Sequence, residues 1–218
     1  MSIRHHLTDD LLMAYAAGSL PEAFSLVVAT HVSLCDECRA RLGAHEAVGG
    51  AVLEEVPESA VSSGSLAATM ALIRAGGPGK GPIPAPRVRP AGDILPSPLR
   101  EYVGGGIGAV TWRSIGGGVR QAILPTSRDA TARLLYIPAG QAVPDHGHGG
   151  MELTQVLQGA FRDEGERFGP GDVEIATEEL QHTPVAEPGV DCICLAATDA
   201  PLKFRAMLPR IAQPFFRI

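Results

Sequence analysis

The stretch HVSLCDEC, from His31 to Cys38, places one imidazole and two thiols within eight residues of a chain that has only four cysteines. His31 and Cys35 are four residues apart, so a helix would turn both toward one face. Cys35 and Cys38 form a Cys-x-x-Cys pair, a spacing typical of zinc ligands. A tetrahedral site needs a fourth ligand, and His5 or His6 is the nearest remaining soft donor. We expect a closed structural zinc site here.

Two alternatives to this zinc site remain open at the level of the residues. A Cys-x-x-Cys pair can be a redox motif, although a thioredoxin-like motif would lie in a βαβ context that this segment lacks. The histidine and the thiols can also be unconnected core residues.

A second constellation of possible ligands lies in the C-terminal half. Its pattern is Gly-x5-His-x-His-x3-Glu-x6-Gly followed by a later histidine, which resembles the cupin signature. Three imidazoles and one carboxylate suit zinc or another divalent transition metal such as Mn, Fe, Ni or Cu. The alternative is a group of surface-loop histidines in a strand-rich domain. The four candidate ligands are His146, His148, Glu152 and His182.

Cys192 and Cys194 are two apart in an apolar run that predicts a strand, so both side chains face the same way. Same-strand neighbours are badly placed to form a disulfide with each other. We expect either two buried core thiols or, if they are partly exposed, targets of oxidation.

Helices position the first set of candidate ligands. Thr8 predicts the cap of a helix that Gly18 ends, and Pro21 suits the first turn of a second helix. A third helix is expected from about Asp36, and a fourth, capped by Ser65, runs to Gly76. The core of such a small bundle is thin, so a bound metal would help it to fold.

Composition divides the chain into three parts. Residues 1–76 form the expected helical domain, and residues 77–98 are a Pro/Gly-rich linker that is expected to be semi-extended. In residues 99–218, short strand-like runs alternate with turn signals, as in a β-sandwich or barrel. The predicted fold class is a multidomain α + all-β protein, with an N-terminal zinc-stapled helical bundle and a C-terminal cupin β-barrel.

Charge and hydropathy limit the partners. The formal net charge of −6 argues against nonspecific binding to nucleic acid, which depends on Lys and Arg. The start of the chain has no apolar segment of a signal peptide, and no run is long enough to span a membrane. We expect a cytoplasmic protein that would act on transcription only through another protein.

The order of these motifs resembles the ChrR-type zinc-binding anti-sigma factors, which carry a C-terminal cupin domain. The resemblance rests on the ligand spacing, the linker and the cupin pattern, and it extends to the ending LPRIAQPFFRI. It implies that the helical domain binds an extracytoplasmic-function sigma factor and hides its polymerase-binding surfaces. It also implies a response to singlet oxygen or related oxidants, and zinc ligands at His6, His31, Cys35 and Cys38.

Two functions from different classes follow. The first is an anti-sigma factor whose cupin domain mediates release of the sigma factor under oxidative stress. The second is a dioxygenase-like cupin metalloenzyme whose helical domain serves assembly. No catalytic group beyond the candidate ligands can be placed from the sequence, which favours the regulator.

Overall fold

The structure is a computed structural model that describes residues 2–76 and 92–204. Its helices are α1 (Asp9–Ala16), α2 (Glu22–Val32), α3 (Asp36–Glu54), α4 (Ser65–Arg74) and α5 (Ser97–Val103), followed by a 3-10 turn at Ile107–Ala109. The strands are β1 (Arg113–Gly116), β2 (Val119–Ile123), β3 (Thr131–Ile137), β4 (His146–Gly147), β5 (Glu152–Gln158), β6 (Phe161–Asp163), β7 (Glu166–Phe168), β8 (Val173–Ala176), β9 (Gln181–His182), β10 (Val185–Ala186), β11 (Cys192–Thr198) and β12 (Lys203–Phe204).

Local signals explain where the first helices begin and end. The Thr8 hydroxyl accepts a hydrogen bond from the backbone N–H of Leu11, and Gly18 follows α1 with a φ of +66°. The thiol of Cys35 caps α3 by accepting from the N–H of Cys38. The prediction of a Ser65 cap is wrong, because Ser65 is already the first residue of α4 and the cap position is Gly64.

The C-terminal part is built from three antiparallel sheets. Six strands form the large sheet in the order β1-β2-β3-β11-β5-β8, and two sheets of three strands have the orders β10-β6-β7 and β12-β4-β9. All three sheets contribute side chains to the wall of one cavity. Within the described residues the ladders do not close into a single barrel.

The central strand β11 is buried along its whole length. Cys194, Ala196 and Thr198 line the cavity, whereas Ile193 and Leu195 belong to the core cluster on the other side of the sheet. Burial on both faces explains why this strand is continuously apolar rather than alternating.

The helical part packs directly against this sheet. Helix α2 contacts β3, β5 and β11 as well as α1, α3 and α5, and one core cluster contains residues of both parts. At the start of α2, the Glu22 carboxylate accepts hydrogen bonds from the Tyr102 hydroxyl at 2.7 Å and the Ser127 N–H at 2.6 Å. The two parts of the chain therefore share an interface that the sequence did not predict.

The predicted linker and the chain after it differ in part from expectation. Most of the linker, residues 77–91, lies outside the described residues, as does the ending LPRIAQPFFRI. Its last residues are packed, since Leu95 is fully buried and α5 begins at Ser97. A helix therefore stands where strands were expected from Leu99 onward.

The fourth helix does not join the predicted bundle. None of the residues of α4 is buried, and the second half of α3 is also exposed. Helices α1, α2 and α3 contact one another and form the core around the first ligand set. Across the described part of the chain, no helix combines the length and apolar character needed to cross a membrane.

Candidate metal centres

The first ligand set comes together in the structure. One ligand atom from each of His6, His31, Cys35 and Cys38 lies within 4.8 Å of the others. His6 Nδ1 is 3.3 Å from the Sγ of Cys35 and 3.6 Å from the Sγ of Cys38. With zinc–sulfur and zinc–nitrogen bonds of about 2.3 and 2.0 Å, a tetrahedral site would separate a sulfur from a nitrogen by about 3.5 Å. The donor set therefore fits zinc.

Three short segments bring these side chains to one point. His31 lies in the last turn of α2, Cys35 caps α3, Cys38 lies in the first turn of α3, and His6 precedes α1. The Nδ1 of His31 is 2.9 Å from the carbonyl oxygen of Gly171, a residue of the β part. The buried His31 Nε2 has no hydrogen-bond partner among the described residues. A buried nitrogen that lies beside two thiols and has no hydrogen-bond partner is well suited to bind a metal.

Burial controls the protonation of this set. It lowers the pKa of His31 to about 4, so the imidazole is neutral and able to ligate at pH 7. It also raises the pKa of the Cys38 thiol to about 11. A metal must therefore displace a proton from Cys38 when it binds.

The structure distinguishes the two neighbouring histidines that spacing alone leaves open. His6 lies in the ligand set, whereas the His5 ring lies 4.3 Å from that of Phe168, between centroids. His5 also approaches the carboxylates of Glu166 and Asp172, at 3.5 and 3.7 Å.

The second ligand set also comes together, at the edge of the cavity. The Nε2 of His182 lies 3.0 Å from that of His148 and 3.1 Å from that of His146. Metal–nitrogen bonds of about 2.1 Å at right angles would separate the nitrogens by about 3.0 Å. All three rings are buried, and burial lowers the pKa of His148 to about 4, so this ring is neutral. The three nitrogens fit one face of a metal site with open positions.

Glu152 lies beside this group rather than within it. Its carboxylate accepts a hydrogen bond from the Thr154 hydroxyl at 3.1 Å and lies 4.0 Å from His148 Nδ1. Of the sequence-predicted set, only the three histidines fall within 4.8 Å of one another. Glu152 lines the same cavity, which keeps it within reach of the site.

Two acidic residues at this site were missed by the sequence analysis. Asp163 accepts from His182 Nδ1 at 2.7 Å, which leaves Nε2 of that ring free for a metal. Glu174 lies 4.0 Å from the same nitrogen, and burial together with the Asp163 carboxylate raises its pKa to about 9. For Glu174, the signal in the sequence was an acidic residue within the otherwise apolar strand β8.

The cavity beside the histidines has a volume of about 540 Å³, within the range of small-ligand sites. Most of its wall is apolar, and the ionisable residues Glu152, Glu174 and Arg133 are among the exceptions. Arg133 is 5% exposed and donates a hydrogen bond to Gln121 at 3.3 Å. Such a cavity can hold a small, mainly apolar molecule next to a metal.

Cys192 and Cys194 are both buried, as the first alternative for them predicted. Their sulfur atoms lie 3.5 Å apart, and Cys194 lines the cavity. The hydrogen bond between the two thiols, together with burial, raises the pKa of Cys194 well above its usual value. The Cys194 thiol therefore remains protonated at neutral pH.

Comparisons with known proteins describe what the chain resembles. Residues 103–201 match the family model of the ChrR cupin-like domain. The chain is 65% identical over 218 residues, the full length of both proteins, to the anti-sigma-E factor ChrR of Cereibacter sphaeroides strain ATCC 17023. Among solved structures, the Rhodobacter sphaeroides complex of SigE with the anti-sigma ChrR matches with 62% identity and a TM-score of 0.79. That match covers 91% of this chain and 100% of the other.

Proposed function

Since the chain belongs to the ChrR family of anti-sigma factors, we propose that it binds an extracytoplasmic-function sigma factor and keeps it from RNA polymerase. The family is one of regulators rather than enzymes. A partner that acts with RNA polymerase would place the protein in the cytoplasm.

The exposed apolar side chains of α3 and α4 carry this proposal. We call this group the α3–α4 surface. Its large apolar side chains are more than half exposed, although side chains of this kind are normally buried. They are Val48 65%, Val52 62%, Leu53 71%, Leu66 75%, Leu72 60% and Ile73 64% exposed.

The apolar side chains of the other described helices are mostly occupied, and Met13 of α1, which is 53% exposed, is an exception. The apolar side chains of α2 pack between the sheet and its helical neighbours, and α1 contacts α3. The α3–α4 surface is therefore where a protein partner can bury additional apolar area without displacing the existing core. A partner that binds there would also hold α4, which has no buried residue of its own.

We propose zinc for the set of His6, His31, Cys35 and Cys38. Four protein ligands, two of them thiolates, make a closed structural site that ties α1, α2 and α3 together. Zinc would supply folding free energy there, because it would crosslink three helices whose shared core is small.

For the histidine group of the cupin part we propose zinc or another divalent transition metal. His146, His148 and His182 would hold it, with Glu152 as the fourth ligand after a small movement of its side chain. The metal would leave positions open toward the cavity. A reactive small molecule could reach those positions, which supports a sensing role in the release of the sigma factor by singlet oxygen or related oxidants.

The proposed division of labour follows the sequence. Residues 1–76 would bind the sigma factor, residues 77–98 would connect the two parts, and residues 99–218 would sense the oxidant. Direct contact with nucleic acid is not part of the proposal, because the net charge is −6.

Binding of the full chain to purified extracytoplasmic-function sigma factors, followed by transcription in vitro, tests the function. The variant Val52→Glu with Leu72→Glu should weaken binding by at least tenfold, because two charges would enter an apolar interface. Val190→Glu is the matched control, since Val190 is 55% exposed on the cupin part.

Two results would contradict the proposal. A wild-type chain that binds none of the sigma factors from its own cell would refute the function. Equal binding by the double variant and by Val190→Glu would refute the choice of surface.

A further inference from the structure

A turn of the cupin part forms hydrogen bonds with the residues that precede the first ligand set. The turn is Gly169–Asp172, between β7 and β8, and we call it the clasp turn. One carboxylate oxygen of Asp172 accepts hydrogen bonds from the backbone N–H groups of Arg4 at 2.6 Å and His5 at 3.0 Å. The chain segment immediately before His6 is thereby fixed to the cupin part.

The same turn also holds a second member of the ligand set. The Gly171 carbonyl lies 2.9 Å from His31 Nδ1, so that nitrogen carries the proton and donates it to the carbonyl. This hydrogen bond fixes the tautomer and the orientation of the ring, and it leaves Nε2 directed to the thiols. Two of the four candidate ligands therefore depend on contacts from the clasp turn.

The clasp turn is itself well ordered by its hydrogen bonds. The other oxygen of Asp172 accepts from the Gly169 N–H at 2.8 Å, and Asp172 is only 3% exposed. The N–H of Val173 donates to the His5 carbonyl at 3.2 Å, which adds a further bond between the two parts. Burial by itself would raise the pKa of Asp172, but the three N–H donors outweigh it and lower the pKa, so the group is a carboxylate.

We propose that the clasp turn is the outer coordination shell of the N-terminal metal site, with Asp172 as a positioning residue for His6 and His31. The inference rests on the proposed zinc site but not on the sigma factor. In addition to its proposed sensing role, the cupin part thus sets the metal affinity of the helical part. Outer-shell partners of metal ligands typically change metal affinity by about 10–100-fold when they are removed.

Cobalt(II) titration of the metal-free full chain tests this role. Cobalt bound by thiolates gives a charge-transfer absorption, and the proposed histidine–carboxylate set has no thiolate ligand, so the band reports the first set alone. Asp172→Ala should weaken cobalt binding at the thiolate site by about 10–100-fold. Asp172→Asn, which keeps one acceptor oxygen, should lose less affinity than Asp172→Ala.

Asp199→Ala is the matched control. Asp199 is also a cupin aspartate that accepts from a backbone N–H, that of Met151 at 2.9 Å, and among the described residues none of its hydrogen bonds reaches the first ligand set. Its thiolate–cobalt affinity should stay within about threefold of wild type. If Asp172→Ala does not fold, Arg4→Pro provides the comparison, because it removes the N–H donor and leaves the carboxylate in place.

The outcomes separate this inference from the proposed function. Wild-type cobalt affinity in Asp172→Ala, or in Arg4→Pro where that variant serves instead, overturns the role of the clasp turn. Equal losses in Asp172→Ala and Asp199→Ala overturn it too, and a wild-type chain without the thiolate band overturns it together with the zinc site. If the wild-type chain binds no sigma factor but Asp172→Ala loses cobalt selectively, the proposed function fails and the clasp turn stands.

Discussion

Acidification should weaken metal binding at the first ligand set, and the structure gives the minimum size of the effect. The pKa of Cys38 is raised to about 11 in the metal-free protein, so its thiol is protonated throughout the range from pH 6 to pH 8. A bound metal requires the thiolate, and binding therefore releases the Cys38 proton. His31, with a pKa lowered to about 4, is already neutral in this range and releases none.

The sign and the slope follow from this proton balance. Each proton released on binding lowers the association constant about tenfold for each unit by which the pH falls. Between pH 8 and pH 6, Cys38 alone lowers metal affinity about a hundredfold. The thiolate–cobalt titration, repeated across this range, should show a slope of log K against pH of at least one.

A matched variant identifies the source of the slope. Cys38→His replaces the thiol with an imidazole that is mostly neutral above its ordinary pKa of about 6.5, so the slope above pH 7 should fall by about one. A wild-type slope near zero would refute the reasoning, because it would mean that Cys38 is ionised before the metal arrives. An unchanged slope in Cys38→His would assign the released proton to another group.

Three further predictions concern the two parts of the chain. Residues 1–76 alone should bind the sigma factor but self-associate, because the sheet no longer covers α2. Light scattering measures the self-association and transcription assays measure the inhibition. A fragment that folds with zinc yet does not inhibit transcription would contradict this prediction. Cys35→Ser should lose the first metal and with it inhibition, as measured by metal analysis and transcription in vitro; full sigma affinity without metal would show that the metal is dispensable. His146→Ala or Glu152→Ala should keep the sigma factor bound at rest but block its release by singlet oxygen, which a sigma-dependent reporter measures; induction without stress, or a normal response, would contradict the sensing role.

Short-range patterns predicted most of the helical part and of both ligand sets. The Thr8 cap, the glycine after α1 and the Cys-x-x-Cys pair act over one or two helical turns, so their consequences can be inferred from the residues themselves. The His-x-His spacing likewise places His146 and His148 together on a short segment.

The contacts that sequence reasoning missed all depend on tertiary pairing. Asp163 reaches His182 across 19 positions of the chain, and Asp172 reaches Arg4 across 168. No local pattern specifies such partners, because they are brought together by strand register and by the docking of α2. The exposure of α4 was missed for a related reason, since an amphipathic pattern shows that a helix has an apolar side but not which molecule covers it.

If the cupin part releases the sigma factor in response to a signal, as proposed, the burial of α2 limits how that signal can pass. Seven of its eleven residues are buried, and its apolar side chains face both the sheet and the other helices. Exposing three such side chains would cost roughly 5–9 kcal/mol, at about 1.5–3 kcal/mol each. That is comparable with the whole stability of a typical domain, about 5–15 kcal/mol. Separation of the two parts as rigid bodies is therefore too costly for a reversible switch, and the proposed signal would have to pass through small shifts at an interface that stays closed.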